Sequence, residues 1–216
     1  MAPRGALDLS LYLVTDARLC GARGVVATVA QAVAAGVSAV QLRDARLDDA
    51  GFVALGQALM RELAGTGVPL IVDDRVDLVA AIGADGAHVG QHDLDPVAAR
   101  QRIGPARWLG LSVQTVDHVA AALRLPRGTV DYLGVGPIWA QATKRDAAVP
   151  SGPETLAAIV RRSPWPCVAI GGIDAVRAPL VRRCGAAGIA VVSAICASAD
   201  PAQAARELHQ AWEPGR

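Results

Sequence analysis

Short runs rich in Val, Ile and Leu recur eight times along the chain, and each is followed by a polar or glycine-containing turn. Near-continuous apolar runs of this kind are typical of parallel strands that are buried on both faces of a sheet. The predicted strands lie near residues 11–16, 39–44, 69–74, 86–91, 108–113, 131–136, 167–172 and 189–195.

Ala-rich segments with a helical spacing of apolar positions separate these strands. Several of them end at a glycine, such as Gly83 or Gly104, which is a common residue after the last turn of a helix. The predicted helices are 25–35, 48–63, 76–82, 116–125, 154–162 and 176–183, with a last helix from Asp200. Strands that alternate with helices pair in parallel, because each crossover returns the chain to the same end of the sheet.

Eight strand–helix units favour an α/β fold of the (β/α)8 TIM-barrel type. The chain has 216 residues, near the lower limit of about 200 for this fold. We therefore expect a single domain over residues 1–216. The alternative is an open doubly wound sheet, but no GxGxxG follows the first strand, as it does in sheets that bind dinucleotides.

Composition narrows the classes of partner. The 21 Lys and Arg nearly balance the 20 Asp and Glu, and no basic tail is present, which argues against nucleic acid. The chain shows no signal-like segment and no long apolar stretch, so we expect a cytoplasmic protein without a membrane partner. The four cysteines lack metal-type spacing and are predicted to be reduced core thiols. The Ala-rich helical exterior is consistent with a homo-oligomer.

Carboxylates follow two neighbouring strands at the end of the barrel where this fold places its active sites. Asp74 and Asp93 are therefore predicted to share one hard cation, with Mg²⁺ as the best fit, together with waters and a phosphorylated ligand. The alternative is helix capping, in which Asp74 caps the helix near Val76 and Asp93 or Asp95 caps the next one.

Glycines and cations at other strand ends indicate phosphate binding. Gly171 and Gly172 follow the seventh strand, where bare backbone N–H groups hold phosphate in many barrels. The alternative is that these glycines relieve crowding at the rim. Arg43 and Lys144 supply cations for a second, more highly charged phosphate ester. His88 lies inside the fourth strand and is predicted to be a hydrogen-bonded barrel histidine rather than a catalytic one.

Segments along nearly the whole chain resemble the thiamine-phosphate synthase family. In chain order they are LYLVTD, VQLRD, VDDRVDL, ADGAHVGQHDL, GLSV, DYLGVGPIWAQATK, AIGGI and GIAVVSAI. The combination of GQxDL, GPxxxxxTK and VVSAI is specific, whereas IGGI alone occurs in many phosphate-binding barrels. The resemblance implies a Mg²⁺-dependent transferase that joins a hydroxymethylpyrimidine diphosphate to a thiazole phosphate. It thereby explains two phosphate sites in one barrel.

The resemblance also implies a role for each matched residue. Asp74 and Asp93 would hold Mg²⁺ on the diphosphate. The pyrimidine diphosphate would be bound by Gln41, Arg43, Asp73, Ser112 and Lys144. The thiazole phosphate would be bound by Gln141, Thr143, Gly171, Gly172, Val192 and Ser193. The implied reaction is dissociative, with pyrophosphate leaving first, so the catalytic groups would be Arg43 and Lys144, which offset the charge that grows on it.

Four positions depart from the usual family pattern. The motif QxRxK reads QLRDA, so Ala45 replaces a lysine and Arg46 is the nearest substitute. Asp73 stands where an Asn is usual, Gln114 where a His is usual, and Gln141 where a Thr is usual. Two alternatives follow from these changes. One is a thiazole tautomerase of the same superfamily, which would need the missing His, and the other is a non-catalytic paralogue that binds a phosphorylated ligand.

Overall fold

Eight parallel strands form a closed barrel in the computed structural model, which describes residues 7–141 and 149–213. Each strand pairs with the next in the chain, and β8 pairs with β1 to complete the ring. The strands are β1 (Leu11–Val14), β2 (Ala39–Leu42), β3 (Leu70–Asp73), β4 (Gly86–Val89), β5 (Trp108–Val113), β6 (Tyr132–Val135), β7 (Cys167–Ile170) and β8 (Gly188–Val191). The predicted TIM barrel is confirmed.

Helices cover the outside of the barrel. They are α1 (Ala17–Cys20), α2 (Val25–Val33), α3 (Asp49–Leu63), α4 (Val79–Ile82), α5 (Pro96–Ile103), α6 (Val116–Ala122), α7 (Gly152–Arg162), α8 (Ala178–Arg183), α9 (Ser193–Cys196) and α10 (Pro201–Trp212). The predicted helices are all present, except that the first turn of segment 76–82 is a 3₁₀ helix. The short helices α1 and α9 had no counterpart among the predictions.

Aspartate side chains set the starting points of several helices, because a carboxylate accepts from backbone N–H groups that the first turn leaves unpaired. Asp48 accepts from the N–H of Gly51 at 2.8 Å at the start of α3. Asp95 accepts from the N–H of Val97 at 2.9 Å at the start of α5. The structure therefore selects Asp95, rather than Asp93, as the cap of that helix.

The predicted eighth strand was wrong at its carboxyl end. Its range of 189–195 runs through Ser193, which begins α9, whereas β8 itself ends at Val191. The pairing of Leu13 with Val191 is the last between β1 and β8. Val192 then leaves the extended conformation, with φ −117° and ψ −79°. The apolar run continues because Ile195 of α9 is also buried, and hydrophobicity alone does not separate a strand from a buried helix.

The sheet separates two apolar layers because successive side chains of a strand point to opposite faces. In β1, Leu11 and Leu13 pack outward against the helices, while Tyr12 and Val14 point into the barrel. The inner layer is smaller and includes a second tyrosine, Tyr132. The barrel interior therefore contains two phenol hydroxyls that need hydrogen-bond partners.

Two further predictions concern the cysteines and membrane-spanning helices. All four cysteines are unpaired thiols, as predicted. Three of them are buried, but the prediction of a core position was wrong for Cys184, which is half-buried. In the part of the chain that the structure describes, none of the helices has the length and apolar character needed to cross a membrane. Self-association and cellular location stay predictions.

Candidate active site

The end of β1 holds the end of β2 in place. The backbone N–H of Thr15 donates to the carbonyl of Gln41 at 2.9 Å. The N–H of Arg43 donates to the hydroxyl of Thr15 at 3.0 Å, and Thr15 is buried. The side chain of Gln41 is buried inside the barrel, and Arg43 is half-buried at its rim.

Arg43 forms an ion pair with Asp73, the last residue of β3. The distance from Arg43 Nε to Asp73 Oδ2 is 3.6 Å, and the two side chains are 28% and 14% exposed. This separation exceeds that of a normal hydrogen bond, so the contact is electrostatic. The negative charge that Asp73 introduces in place of the usual Asn is thus balanced by a cation on the neighbouring strand.

The two predicted metal ligands follow β3 and β4, which are neighbours in the barrel. Asp74 is exposed and has the left-handed backbone conformation, with φ 58°, and its N–H donates to the carbonyl of His88 at 3.0 Å. Asp93 is exposed, and its Oδ2 accepts from the N–H of Gly90 at 2.7 Å. The 3₁₀ helix after β3 has Arg75 at its N-cap position, without a side-chain cap.

Asp74 and Asp93 are the described residues that could hold the predicted Mg²⁺. No group of three or more His, Cys, Asp or Glu side chains suited to a metal occurs within residues 7–141 and 149–213. Mg²⁺ is usually held by one or two carboxylates, several waters and the phosphates of a substrate, rather than by a complete protein cage. Asp74 and Asp93 therefore fit a cation that arrives with a phosphorylated ligand.

Two of the predicted diphosphate-binding residues are joined by a buried chain of hydrogen bonds. Gln41 Nε2 donates to the hydroxyl of Tyr12 at 3.2 Å, and the hydroxyls of Tyr12 and Tyr132 are 3.0 Å apart. His88 Nδ1 lies 3.0 Å from the hydroxyl of Tyr132, and His88 Nε2 lies 2.9 Å from that of Ser112. The prediction that His88 is a hydrogen-bonded barrel histidine is confirmed.

Sequence reasoning missed the roles of Tyr12 and Tyr132. They are the two tyrosines of the chain, and both lie in otherwise apolar strands. Because a buried phenol hydroxyl almost always finds a partner, a tyrosine in such a strand is a usable signal of a polar contact inside the barrel.

The glycine turn after β7 packs closely against the loop that follows β6. Gly171 and Gly172 both have positive φ angles, 104° and 65°. The N–H of Trp139 donates to the carbonyl of Gly171 at 3.1 Å, and the guanidinium of Arg177 donates to the carbonyl of Gly172. A Cβ added at Gly171 would lie 2.7 Å from Pro137 Cα. The alternative that these glycines relieve crowding is therefore supported, and phosphate binding at this turn stays a prediction.

Two further residues predicted to bind phosphate, Val192 and Ser193, lie at the same rim. β8 pairs with β7, so Val192 and Ser193 follow a strand adjacent to the glycine turn. Val192 is buried and Ser193 is exposed. Gln141 is half-buried at the edge of the described segment, while Thr143 and Lys144 lie outside the described residues.

Two other polar residues near strand ends have local contacts. Arg75 follows β3, but its Nη2 lies 2.7 Å from Asp49 Oδ1 and its guanidinium lies 4.6 Å from the centre of the Phe52 ring, so the side chain is directed at α3. Arg46 is exposed, and its backbone N–H donates to Asp44 Oδ1 at 2.8 Å. Whether Arg46 replaces the missing lysine stays a prediction.

Two clefts of about 510 and 450 Å³ lie at the opposite end of the barrel. Both are lined by Ser38 and Val68, which precede β2 and β3. None of the residues predicted to bind substrate lines either cleft. The location of the polar side chains, rather than the size of a cleft, therefore identifies the candidate site.

Comparisons with known proteins find relatives over nearly the whole chain. Residues 11–195 match the family model described as thiamine monophosphate synthase. The chain is 48% identical over 209 residues to the thiamine-phosphate synthase of Azorhizobium caulinodans, covering 97% of each chain. It is 48% identical over 204 residues to that of Xanthobacter autotrophicus, covering 94% of this chain and 95% of the relative. A solved thiamine phosphate pyrophosphorylase from Pyrococcus furiosus superposes with a TM-score of 0.85 at 33% identity, covering 95% of this chain and 96% of that one.

Proposed function

Because the chain belongs to the thiamine monophosphate synthase family, we propose that it is a thiamine-phosphate synthase. The reaction condenses 4-amino-2-methyl-5-hydroxymethylpyrimidine diphosphate with a thiazole phosphate and gives thiamine phosphate and pyrophosphate. The observation that supports the proposal is that the described members of two sets of residues predicted to bind phosphate lie at one end of the barrel. Those of the first set lie at the ends of β2, β3 and β5, and those of the second set follow β6, β7 and β8.

The first set is proposed to bind the pyrimidine diphosphate. Gln41 and Ser112 offer neutral hydrogen-bonding groups from inside the barrel, and Arg43 offers a cation at its rim. Asp73 is assigned to the same ligand through its ion pair with Arg43, which orients the guanidinium. Lys144 is included on the basis of the family resemblance.

Asp74 and Asp93 are proposed to hold Mg²⁺ together with the diphosphate. When bound, the cation would neutralise negative charge on the leaving pyrophosphate. The exposure of both carboxylates supports this assignment, since the metal must reach substrate oxygens as well as protein ones.

The proposed chemistry breaks the C–O bond between the pyrimidine methylene and the diphosphate, and both electrons leave with pyrophosphate. The lone pair of the thiazole nitrogen then forms a C–N bond with the methylene carbon. That nitrogen carries no proton, so the step needs no general base. The chain's own contribution is positive charge placed beforehand beside the leaving group, from Arg43 and Lys144.

The second set is proposed to hold the thiazole phosphate. It consists of Gln141, Thr143, Gly171, Gly172, Val192 and Ser193. Glycine at the turn after β7 allows a phosphate oxygen to approach backbone N–H groups without a Cβ in the way. Arg177 and Trp139 support the turn, since the guanidinium of Arg177 lies 5.1 Å from the centre of the Trp139 ring.

The two alternative functions are less well supported. A tautomerase would need a proton-transfer group at position 114, but Gln114 has no suitable pKa. The nearby His118 is engaged, since its Nδ1 accepts from the backbone N–H of Gln114 at 3.2 Å. A non-catalytic paralogue is not favoured by the relatives compared above, which carry the name of the synthase over nearly their full length.

The test is to incubate the purified protein with both substrates and Mg²⁺ and to assay thiamine phosphate. We expect product that depends on both substrates and that disappears when a chelator removes Mg²⁺. Restoring Mg²⁺ after chelation should restore the rate. Binding of either substrate without product would contradict the synthase and favour the non-catalytic alternative.

Gly171→Ala is expected to weaken use of the thiazole phosphate. The new Cβ would lie 2.7 Å from Pro137 Cα and 3.0 Å from Ile138 N, so the turn must shift. We expect the KM for the thiazole phosphate to rise about tenfold, as for loss of a hydrogen bond to a charged group. Steady-state kinetics with each substrate varied in turn would measure this.

Gly128→Ala is the matched control. Gly128 has a φ of 79° and no atoms within 4 Å of an added Cβ, so this variant has the conformational cost without the clash. Both variants should lose about 1 kcal/mol of unfolding free energy from the left-handed conformation. Equal KM values for the two variants would remove Gly171 from the phosphate site.

A further inference from the structure

We propose that His88 is a positioning residue that fixes the hydroxyl of Ser112 as a hydrogen-bond donor toward the pyrimidine diphosphate. His88 does so as the centre of a buried chain that connects Gln41, Tyr12, Tyr132 and Ser112. The inference rests on the proposed function for the identity of the ligand. It adds residues inside the barrel that do not touch the substrate themselves.

The chain of hydrogen bonds from Gln41 to Ser112 crosses the barrel interior and is shielded from water along most of its length. Tyr12 and Tyr132 are 1% and 0% exposed, and Gln41 and His88 are 6% and 7% exposed. Ser112, at the far end, is half-buried. The hydrogen-bonded chain is therefore most enclosed in its middle, and of its two ends, both predicted to bind the diphosphate, Ser112 is the more exposed.

The direction that we infer for this chain of hydrogen bonds starts from the amide of Gln41. Gln41 donates its amide N–H to the oxygen of Tyr12, and Tyr12 can then donate its own proton to Tyr132. Tyr132 in turn donates to His88 Nδ1, so the ring proton is on Nε2 and is donated to Ser112 Oγ. In the opposite direction the buried proton of Tyr12 would face the amide nitrogen of Gln41, which is a donor, and this is costly.

This direction leaves the hydroxyl of Ser112 as a hydrogen-bond donor. Its oxygen accepts the proton of His88 Nε2, so its own hydroxyl proton remains to be donated to another group. A phosphate oxygen is an acceptor without a proton, so a hydroxyl held in this state matches a diphosphate. Ser112 without this neighbour would be able to rotate and to act as an acceptor.

Both phenols stay neutral, as this direction requires. Burial raises the pKa of Tyr12 and that of Tyr132 above the ordinary range of tyrosine. Each hydroxyl therefore keeps its proton at neutral pH and can act as donor and acceptor at once.

Two glycines leave the space that the chain occupies. Gly110 pairs with His88 on one side and with Tyr132 on the other. A Cβ at Gly110 would overlap His88 Nδ1 and the ring of Tyr132, and a Cβ at Gly134 would lie 2.8 Å from His88 Cε1. Glycine inside a strand weakens the strand, so its presence at both positions points to the close approach of these rings.

The test compares two substitutions of His88 that keep different halves of its hydrogen bonding. The amide of His88→Asn reaches the position of Nδ1, next to Tyr132, but not that of Nε2. The amide of His88→Gln reaches further and can donate to Ser112. We expect the KM for the pyrimidine diphosphate to rise about tenfold or more in His88→Asn and about threefold or less in His88→Gln. The KM for the thiazole phosphate should change by about twofold or less in both.

Thr129→Val is the control for loss of a buried hydroxyl. Thr129 is buried before β6, at the opposite end of the strand, and its Oγ1 donates to the carbonyl of Pro126 at 2.7 Å. This variant should leave both KM values unchanged. Equal rises for His88→Asn and His88→Gln, or equal rises for both substrates, would overturn the positioning role.

Nitrogen NMR of the ¹⁵N-histidine-labelled wild-type protein gives a second reading that needs no variant activity. The chain has four histidines, and the signals of His88 are those lost in His88→Gln. We expect a neutral ring at His88 with the proton on Nε2. A proton on Nδ1 would overturn the inference. If the wild type makes no thiamine phosphate, the proposed function fails, while the position of this proton still decides the direction of the chain.

Discussion

Asp74→Asn is expected to lower turnover by about a hundredfold, because the variant loses a charge that the proposed function assigns to Mg²⁺ beside the leaving pyrophosphate. Asparagine is well tolerated in the left-handed conformation, so the φ of 58° at this position should persist. The hydrogen bond from the backbone N–H to the carbonyl of His88 should persist for the same reason. The unfolding free energy should change by about 0.5 kcal/mol or less.

The measurement is the rate of thiamine phosphate formation over a titration with Mg²⁺. The concentration for half-maximal rate should rise in Asp74→Asn, and saturating Mg²⁺ should recover part of the lost activity. Asp77→Asn is the matched control, since Asp77 is an exposed aspartate in the following turn. An unchanged Mg²⁺ requirement in Asp74→Asn would remove Asp74 from the metal site.

Arg100→Ala should cost about 3–5 kcal/mol of unfolding free energy, the range for breaking one partner of a buried ion pair. Arg100 pairs with Asp131, and the two side chains are 13% and 14% exposed. The guanidinium also donates to the carbonyls of Thr129, Gly104 and Arg107 at 3.0, 2.9 and 2.6 Å. One side chain thus ties α5 to the segments that enter β5 and β6.

Urea unfolding of the two proteins would measure the difference. Arg102→Ala is the matched control, because Arg102 lies in the same helix and is exposed. It should change the unfolding free energy by about 0.5 kcal/mol or less. Similar losses for both variants would assign the effect to helix α5 as a whole rather than to the contacts of Arg100.

The fold could be predicted from the sequence because the required information is local. Each strand is a short apolar run, and each helix shows a helical spacing of apolar residues. Eight such strand–helix units in a chain of one domain favour a closed barrel. The prediction of the eighth strand failed because that strand and the helix after it are both apolar. The run after Ile189 is apolar through Ile195, yet its first part is β8 and its second part is α9.

The candidate site was predictable in its location and only partly in its contacts. Strand ends meet at one rim in any parallel barrel, so polar residues after the strands were expected there. The sequence offered both Asp93 and Asp95 as the cap of α5. Only the backbone geometry decided that Asp95 is the cap. The ion pair of Arg43 with Asp73 depended on the pairing of β2 with β3.

The sequence by itself determined the alternation of strands and helices, because apolar runs and helical periodicity are properties of consecutive residues. Eight such units favour a closed barrel, and the polar residues after the strands are then expected at one rim. Only the tertiary structure decided which distant side chains meet. Tyr12 and Tyr132 are separated by 120 residues, yet their hydroxyls are 3.0 Å apart inside the barrel. A contact between such residues depends on register, on the face of each strand and on the space left by Gly110, which are set when the barrel closes.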